Sequence, residues 1–335
     1  GKLFVSSSAD GKAILWDVLT GERLKEFDMK GDYLTAVDLS TNGRWLVTAG
    51  FDYKAYLWDL HTGDTLRSFK VNTDKGLGYG ISAAFSTNNK IVYFGNDNST
   101  ITAYDVENGT LLFEYERLRG SCGGCASFLA TSQDMLITAS NGEPLTVRDP
   151  NNGEILKTIQ DETDDNRDID FHKASGKIAH LTDDFFSIYT IEGDSLFSIA
   201  TDEQVNEIAF SPNGNYVVTV DNKQLIKRYN SNTGILIQTI GGYQAIQDNG
   251  GLDYDPDRRW DYYIKKYTDL KNDFDISPNG ELLAKAKIGK VVRVWKLHSG
   301  QLVSELRCHE KAVLSVAFAP SGEKLVPGSA DGTIK

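Results

Sequence analysis

Apolar and polar positions in this chain alternate in short runs, four to a unit, with polar turns between them. From Leu34 to Phe69 the unit reads LTAVDLSTNGRWLVTAGFDYKAYLWDLHTGDTLRSF. The same order returns in ISAAFSTNNKIVYFGNDNSTITAYDVENGTLLFEY, from Ile81 to Tyr115, and in NEIAFSPNGNYVVTVDNKQLIKRYNSNTGILIQTI, from Asn206 to Ile240. Each unit predicts a first strand of small and β-branched residues, a turn such as TNG or PNG, and a second strand. A polar turn, a third strand ending in an aromatic, an x-Gly turn and a fourth strand follow. Valine, isoleucine, tyrosine and phenylalanine suit half-buried pleated strands. Asn-Gly and Thr-Gly supply the positive φ that tight hairpins require. No long apolar stripe of period 3.6 argues for a helix.

The glycine of the x-Gly turn sets the period. Gly21, Gly63, Gly109, Gly153, Gly193, Gly234 and Gly300 follow one another at steps of 42, 46, 44, 40, 41 and 66 residues. Four strands repeated every forty-odd residues predict an all-β fold, a β-propeller of about seven four-stranded blades, with residues 1–335 as one domain. Such a scaffold is a stiff surface for contacts and brings no chemistry of its own.

The third strands end in Trp16-Asp17, Trp58-Asp59, Tyr104-Asp105 and Trp295-Lys296. On these residues the chain resembles the WD-repeat (Trp-Asp) family of propellers over nearly its whole length. The resemblance implies that a network of His, Ser or Thr, Asp and Trp ties a blade together. Asp10 and Asp52 stand six residues before Trp16 and Trp58, where that network places its aspartate. His309, Ser329 and Asp331 match the first three members of another copy. Asn98 and Gly289 replace the turn aspartate elsewhere, so those blades depend more on packing. A buried aspartate in such a network needs its donors satisfied.

Both ends cut into a unit. The chain opens on KLFVSSSADGKAILWD, second and third strands without a first, and closes on KAVLSVAFAPSGEKLVPGSADGTIK, which holds a first strand, a second and the start of a third. Six whole blades lie between. The expectation is closure by pairing the N-terminal strands with a C-terminal strand, which removes free sheet edges. Val313–Ala319 is the candidate, and His309 would then reach toward Ser8, Asp10 and Trp16. Residues 323–335 duplicate strand material of residues 2–14, so the tail is displaced, or begins an eighth blade, or continues into further blades. A divergent member within a larger multidomain protein is the expectation.

Composition narrows the partner class. The formal net charge of −12 argues against binding a nucleic-acid backbone, which needs a basic stripe, and disfavours anionic membrane surfaces. No run of about 18 apolar residues predicts a membrane-spanning helix. Cys122, Cys125 and Cys308 make no disulfide framework. Cys122-Gly-Gly-Cys125 has redox or half-zinc spacing but no second pair, and reads as small residues packed near the ring's centre. The sequons at Asn98 and Asn108 fall in turns, where Asn is expected anyway. A cytoplasmic setting is the expectation, with periplasm or secretion left open, as is the oligomeric state.

Catalytic constellations are not expected. His61 and His298 occupy the same turn in different blades, and no nucleophile is accompanied by a base and an orienting group. Neither a cofactor nor a metal is expected. Asp161, Glu162, Asp164, Asp165, Asp168 and Asp170 read as a solvated loop before a first strand. Asp253, Asp255 and Asp257 open like an EF-hand, but Arg258 and Ile264 stand where that loop needs Gly and Glu.

The 66-residue step marks an insertion over residues 241–271, between the sixth and seventh blades. It holds Tyr243, Tyr254, Arg258, Arg259, Trp260, Tyr262, Tyr263, Lys265, Lys266 and Tyr267. Tyrosine, tryptophan and arginine dominate interface energies, and a loop of this length in a compact repeat is usually functional. Packing of these aromatics onto the propeller itself is the competing reading. Tyr254, Arg258, Arg259, Trp260, Tyr262 and Tyr263 are the candidate partner-binding residues. The expected function is a non-enzymatic protein–protein interaction scaffold or sensor in a larger assembly, with a protein or peptide partner. A small-ligand or peptide sensor using the central channel is the alternative. A quinoprotein-type enzyme, suggested locally by VYFGNDNSTITAYDVENGTLLFEYE, ranks below both because its docking motifs and metal ligands do not recur.

Overall fold

A computed structural model of the chain describes residues 3–7, 10–18, 20–29, 34–50, 54–71, 81–96, 100–115, 127–131, 135–140, 143–160, 166–201, 205–221, 225–241, 274–286, 290–311, 313–329, 331 and 333–335. Among them every regular element is a strand, and each sheet follows chain order, so each is an antiparallel meander. Blade 2 is the pattern: Leu34–Leu39, Trp45–Gly50, Lys54–Asp59 and Thr65–Lys70. Blades 3 to 7 repeat it with four strands each, running from Ile81–Phe85 to Leu302–Leu306. Blade 1 holds three strands, Leu3–Ser7, Lys12–Asp17 and Arg23–Asp28. Six complete blades and this partial one make seven successive propeller sheets, the fold class the repeat predicts.

The C-terminal residues form an eighth, two-stranded sheet of Val313–Phe318 and Leu325–Ser329. Val313–Phe318 takes the first-strand place in this sheet, paired antiparallel with Leu325–Ser329. Ile334 bridges Gly328, so the tail begins a third strand of the same sheet.

Local chemistry explains the turns. In blade 2 the Ser40 hydroxyl donates to Asn42 Oδ1 at 2.8 Å and accepts from Trp45 N–H at 2.8 Å, while Gly43 closes the turn at φ 68°. Ser211 with Asn213 and Ser277 with Asn279 repeat it. Blade 3 puts Asn89 where blades 2, 6 and 7 have Gly43, Gly214 and Gly280, in the left-handed region at φ 58° that asparagine tolerates. Its side chain has a task there: Asn89 Oδ1 accepts from the Thr41 N–H of blade 2 at 2.8 Å. A second regularity is a bulge. The ladder between third and fourth strands shifts register on reaching the residue in the tryptophan position, at Leu15/Trp16, Leu57/Trp58, Ala103/Tyr104, Val147/Arg148, Ile188/Tyr189, Arg228/Tyr229 and Val294/Trp295, and blade 4 shifts a second time at Leu145/Thr146. Bulges of this kind sharpen the twist of the bulged strand.

The strands fall into two compact units, one within Lys2–Ile169 together with Ile191–Asp194, the other within Asp170–Thr190 and Ser195–Lys335. In each, the core lies between successive sheets. In the first unit Val47, Leu57 and Phe69 of blade 2 pack against Phe85, Val92 and Phe94 of blade 3. In the second, Leu181, Phe186 and Ile188 of blade 5 pack against Ile208, Phe210 and Val217 of blade 6. Each large apolar side chain so buried contributes about 2–3 kcal/mol.

Candidate functional site

The repeated side chains first hold a blade together. Trp16 Nε1–H donates to Ser6 Oγ at 2.9 Å, and Trp58 Nε1–H to Thr48 Oγ1 at 2.9 Å. Each acceptor sits on the second strand of the same blade, two residues beyond the partner of the tryptophan. Blade 4 carries Arg148 in this position. Its Nε–H donates to Thr138 Oγ1 at 3.2 Å, its NH1 group to the Gly153 carbonyl at 3.0 Å, and its guanidinium stacks 4.0 Å from the centre of the Tyr115 ring. A planar N–H donor over an aromatic face fills an indole's place as lysine cannot. The sequence reading missed Arg148; its signal was the Val-Arg-Asp run at the tryptophan position of blade 4.

The candidate network residues are placed as follows. Asp10 is exposed and accepts from its own turn, Lys12 N–H at 3.1 Å, while the Trp16 indole goes to Ser6. Asp52 and Ser8 lie outside the described residues. His309 is buried and meets Asp331 in its own C-terminal sheet, Nδ1 to Oδ2 at 3.1 Å, with Thr333 Oγ1 at 3.2 Å from the same nitrogen. Burial pulls the Asp331 carboxyl upward, but hydrogen bonds from Thr333, Glu310 and His309 outweigh it and hold the group well below the usual carboxylate range.

Other side chains join one blade to the next. The third residue of a fourth strand lies over the x-Gly turn of the following blade. A Cβ on Gly63, Gly109, Gly153, Gly193, Gly234 or Gly300 would meet Lys25, Arg67, Phe113, Lys157, Phe197 or Gln238, at 2.6 to 3.0 Å. The periodic glycine is thus required twice, for its positive φ and for this approach. Three first-strand aspartates make a second join. Asp38, Asp170 and Asp275 each accept with Oδ1 from the next residue's N–H and with Oδ2 from a phenylalanine N–H one blade on: Phe85 at 2.7 Å, Phe210 at 2.7 Å and Phe318 at 2.6 Å. Burial pushes all three carboxyls above the ordinary range, against the pull of those N–H groups. Asp168 and Asp170, expected in a solvated loop, stand in the strand Asn166–His172; Asp161, Glu162, Asp164 and Asp165 lie outside the described residues.

What faces solvent is the outer strand. Among the described residues, Leu24, Leu66, Leu111, Leu112, Ile155, Leu156, Leu196, Ile235, Leu236, Ile237, Leu302 and Val303 are the exposed large apolar side chains, and all lie at or just before the start of fourth strands. His61 and His298 are exposed in equivalent turns. Among the described residues no three His, Cys, Asp or Glu side chains are grouped to hold a metal ion. The insertion residues Tyr254, Arg258, Arg259, Trp260, Tyr262 and Tyr263 lie outside the described residues, as do Cys122 and Cys125.

Comparison with known proteins agrees with this geometry. The family described as WD domain, G-beta repeat, matches residues 21–59, 189–229 and 300–335. Periodic tryptophan protein 2 homolog of Neurospora crassa is 39% identical over 61 residues, 18% of this chain and 7% of that protein. Autophagy-related protein 16 of Arabidopsis thaliana is 20% identical over 282 residues, 76% of this chain and 54% of that protein. An uncharacterised WD repeat-containing protein of Schizosaccharomyces pombe is 39% identical over 54 residues, 16% of this chain and 14% of that protein. The chain thus spans about half or less of the length of these relatives. The crystal structure of the computationally designed Ika8 protein superposes over 100% of this chain and 92% of that one, with a TM-score of 0.76 at 20% identity, a likeness of fold.

Proposed function

Given that this chain is a WD-repeat β-propeller, we propose that it acts as a non-catalytic protein–protein interaction scaffold within a larger assembly. The observation that carries this reading is how the repeated polar side chains are used. Tryptophan or arginine to Ser or Thr, aspartate to the next blade's N–H, and side chain over glycine all serve to fix strands and join blades. Such ties stiffen a platform, and stiffness lowers the entropic cost of binding. WD40 propellers generally bind protein partners, and the match to Autophagy-related protein 16 runs over 76% of this chain.

The partner contact is assigned to the insertion, through Tyr254, Arg258, Arg259, Trp260, Tyr262 and Tyr263. Six aromatic and arginine residues within ten positions supply the large, low-entropy contact area on which interfaces depend. The test is affinity capture from cell extract by the native chain and by a version lacking residues 243–268, with melting temperatures measured alongside. Loss of specific proteins from the shortened chain at unchanged melting supports the reading. Capture of the same set by both abandons the insertion as the contact.

A further inference from the structure

The outer strands differ in charge. Blade 1 ends in RLKEFD, blade 2 in TLRSFK, blade 3 in LLFEY, blade 4 in ILKTIQ and blade 7 in LVSEL, each with at least one charged residue. Charges on an edge strand are a common device against strand-to-strand association. Blades 5 and 6 end in SLFSIA and LIQTI, with none. Blade 6 goes further: Ile235, Leu236 and Ile237 are consecutive and 66%, 48% and 47% exposed. The turn leading in, Asn230 to Gly234, is uncharged as well. Leu236–Ile240 bonds to Ile226–Asn230 on one side and closes its sheet, so its outer N–H and C=O groups are unpaired within that sheet.

We propose that this edge is a self-association surface, at which two copies of the chain pair their Leu236–Ile240 strands antiparallel about a two-fold axis. The inference goes beyond the scaffold reading and does not depend on the insertion. Charge decides for a second copy over a foreign partner. Two chains of net charge −12 repel on average, so an edge without charge is where like meets like at least cost, and LIQTI against LIQTI brings no like charges together. A basic partner would instead favour outer strands bearing glutamate, such as those of blades 3 and 7. Antiparallel pairing is self-complementary: one edge of each copy supplies both halves of the ladder, the isologous geometry of a C2 dimer. Ile235, Leu236 and Ile237 are all exposed where the ladder slips between Tyr229 and Arg228, so pairing there buries apolar surface at the start of the strand.

Sedimentation velocity of the whole chain over a range of concentrations tests this. The wild type is expected to shift from chain mass to twice chain mass as concentration rises. Ile237→Lys, and independently Ile235→Lys, should remain at chain mass throughout, with melting unchanged. Val303→Lys, on the equally exposed but charged outer strand of blade 7, should dimerise like the wild type. A wild type that stays at chain mass overturns the proposal, including one that binds an extended apolar peptide instead. Dimerisation of both folded lysine variants of blade 6 overturns it as well. So does dissociation by Val303→Lys, which indicates general stickiness of the outer strands.

Discussion

Phe113 of blade 3 lies so close over Gly153 of blade 4 that a Cβ there would stand 2.6 Å from the ring. Gly153 also has φ 74°. Gly21 has nearly the same φ, 73°, with nothing within 4 Å of its Cβ position. Two alanine substitutions therefore separate backbone strain from the join between blades. Gly21→Ala should cost about 1 kcal/mol, the strain alone. Gly153→Ala should cost about 2–4 kcal/mol, because a packed ring must also move. Urea denaturation measures both, and equal costs would show that the ring over the glycine contributes nothing.

Arg148 supplies the second prediction. Arg148→Lys keeps a cation but loses the Nε–H bond to Thr138, the bond to the Gly153 carbonyl and the stack on Tyr115. A loss of about 2–3 kcal/mol is expected in the same denaturation experiment, since the Thr138 and Gly153 oxygens are left without this donor in a buried setting. A variant as stable as the wild type would refute the claim that arginine replaces the indole.

The join at Asp38 predicts both a cost and a pH dependence. Asp38→Asn keeps one oxygen and turns the other into a donor facing Leu39 or Phe85 N–H, so about 1–3 kcal/mol should be lost. Burial holds the Asp38 carboxyl above 3.8. A raised carboxyl pKa contributes stability that is present below the unfolded value and disappears as pH rises through the folded one. The wild type's advantage over Asp38→Asn should therefore be larger near pH 4 than at pH 7. An advantage that shrinks on acidification would contradict the sign.

His180 has the opposite sign. It is 1% exposed, and burial pushes its imidazole down to about 4 from 6.5. The unfolded chain then binds a proton that the folded chain refuses between those values, so stability falls as pH drops from 6.5 to about 4. The loss from this one group is about 3 kcal/mol. His180→Phe carries no titrating ring and should give a flatter stability curve across that window. Parallel curves for the two proteins would rule His180 out as the cause.

The sequence made the fold legible because blade and period coincide. Every x-Gly turn expected from Gly21 to Gly300 is present, and alternation within runs such as WLVTAG and KAYLWD marks strands without ambiguity. The ties within a blade were half legible. Trp16 and Trp58 announce themselves by type, whereas Arg148 performs the same task with a side chain that composition assigns to the surface. The joins between blades were hidden. That Asp38 bonds Phe85, forty-seven residues on, depends on how neighbouring sheets sit against each other, and no local pattern encodes it. The role of the tail was open for a related reason: residues 323–335 match blade 1 and an eighth sheet equally well in sequence, and only the pairing of Val313–Phe318 with Leu325–Ser329 separates them.

The most direct trial of the scaffold account is a binding titration of a captured partner against the native chain and Trp260→Ala. The account predicts a Kd weakened by about tenfold or more for the variant, as for a central aromatic anchor, with melting unchanged. An unaltered Kd, across Trp260→Ala and the alanine replacements of Tyr254, Arg258, Arg259, Tyr262 and Tyr263 taken together, would contradict it.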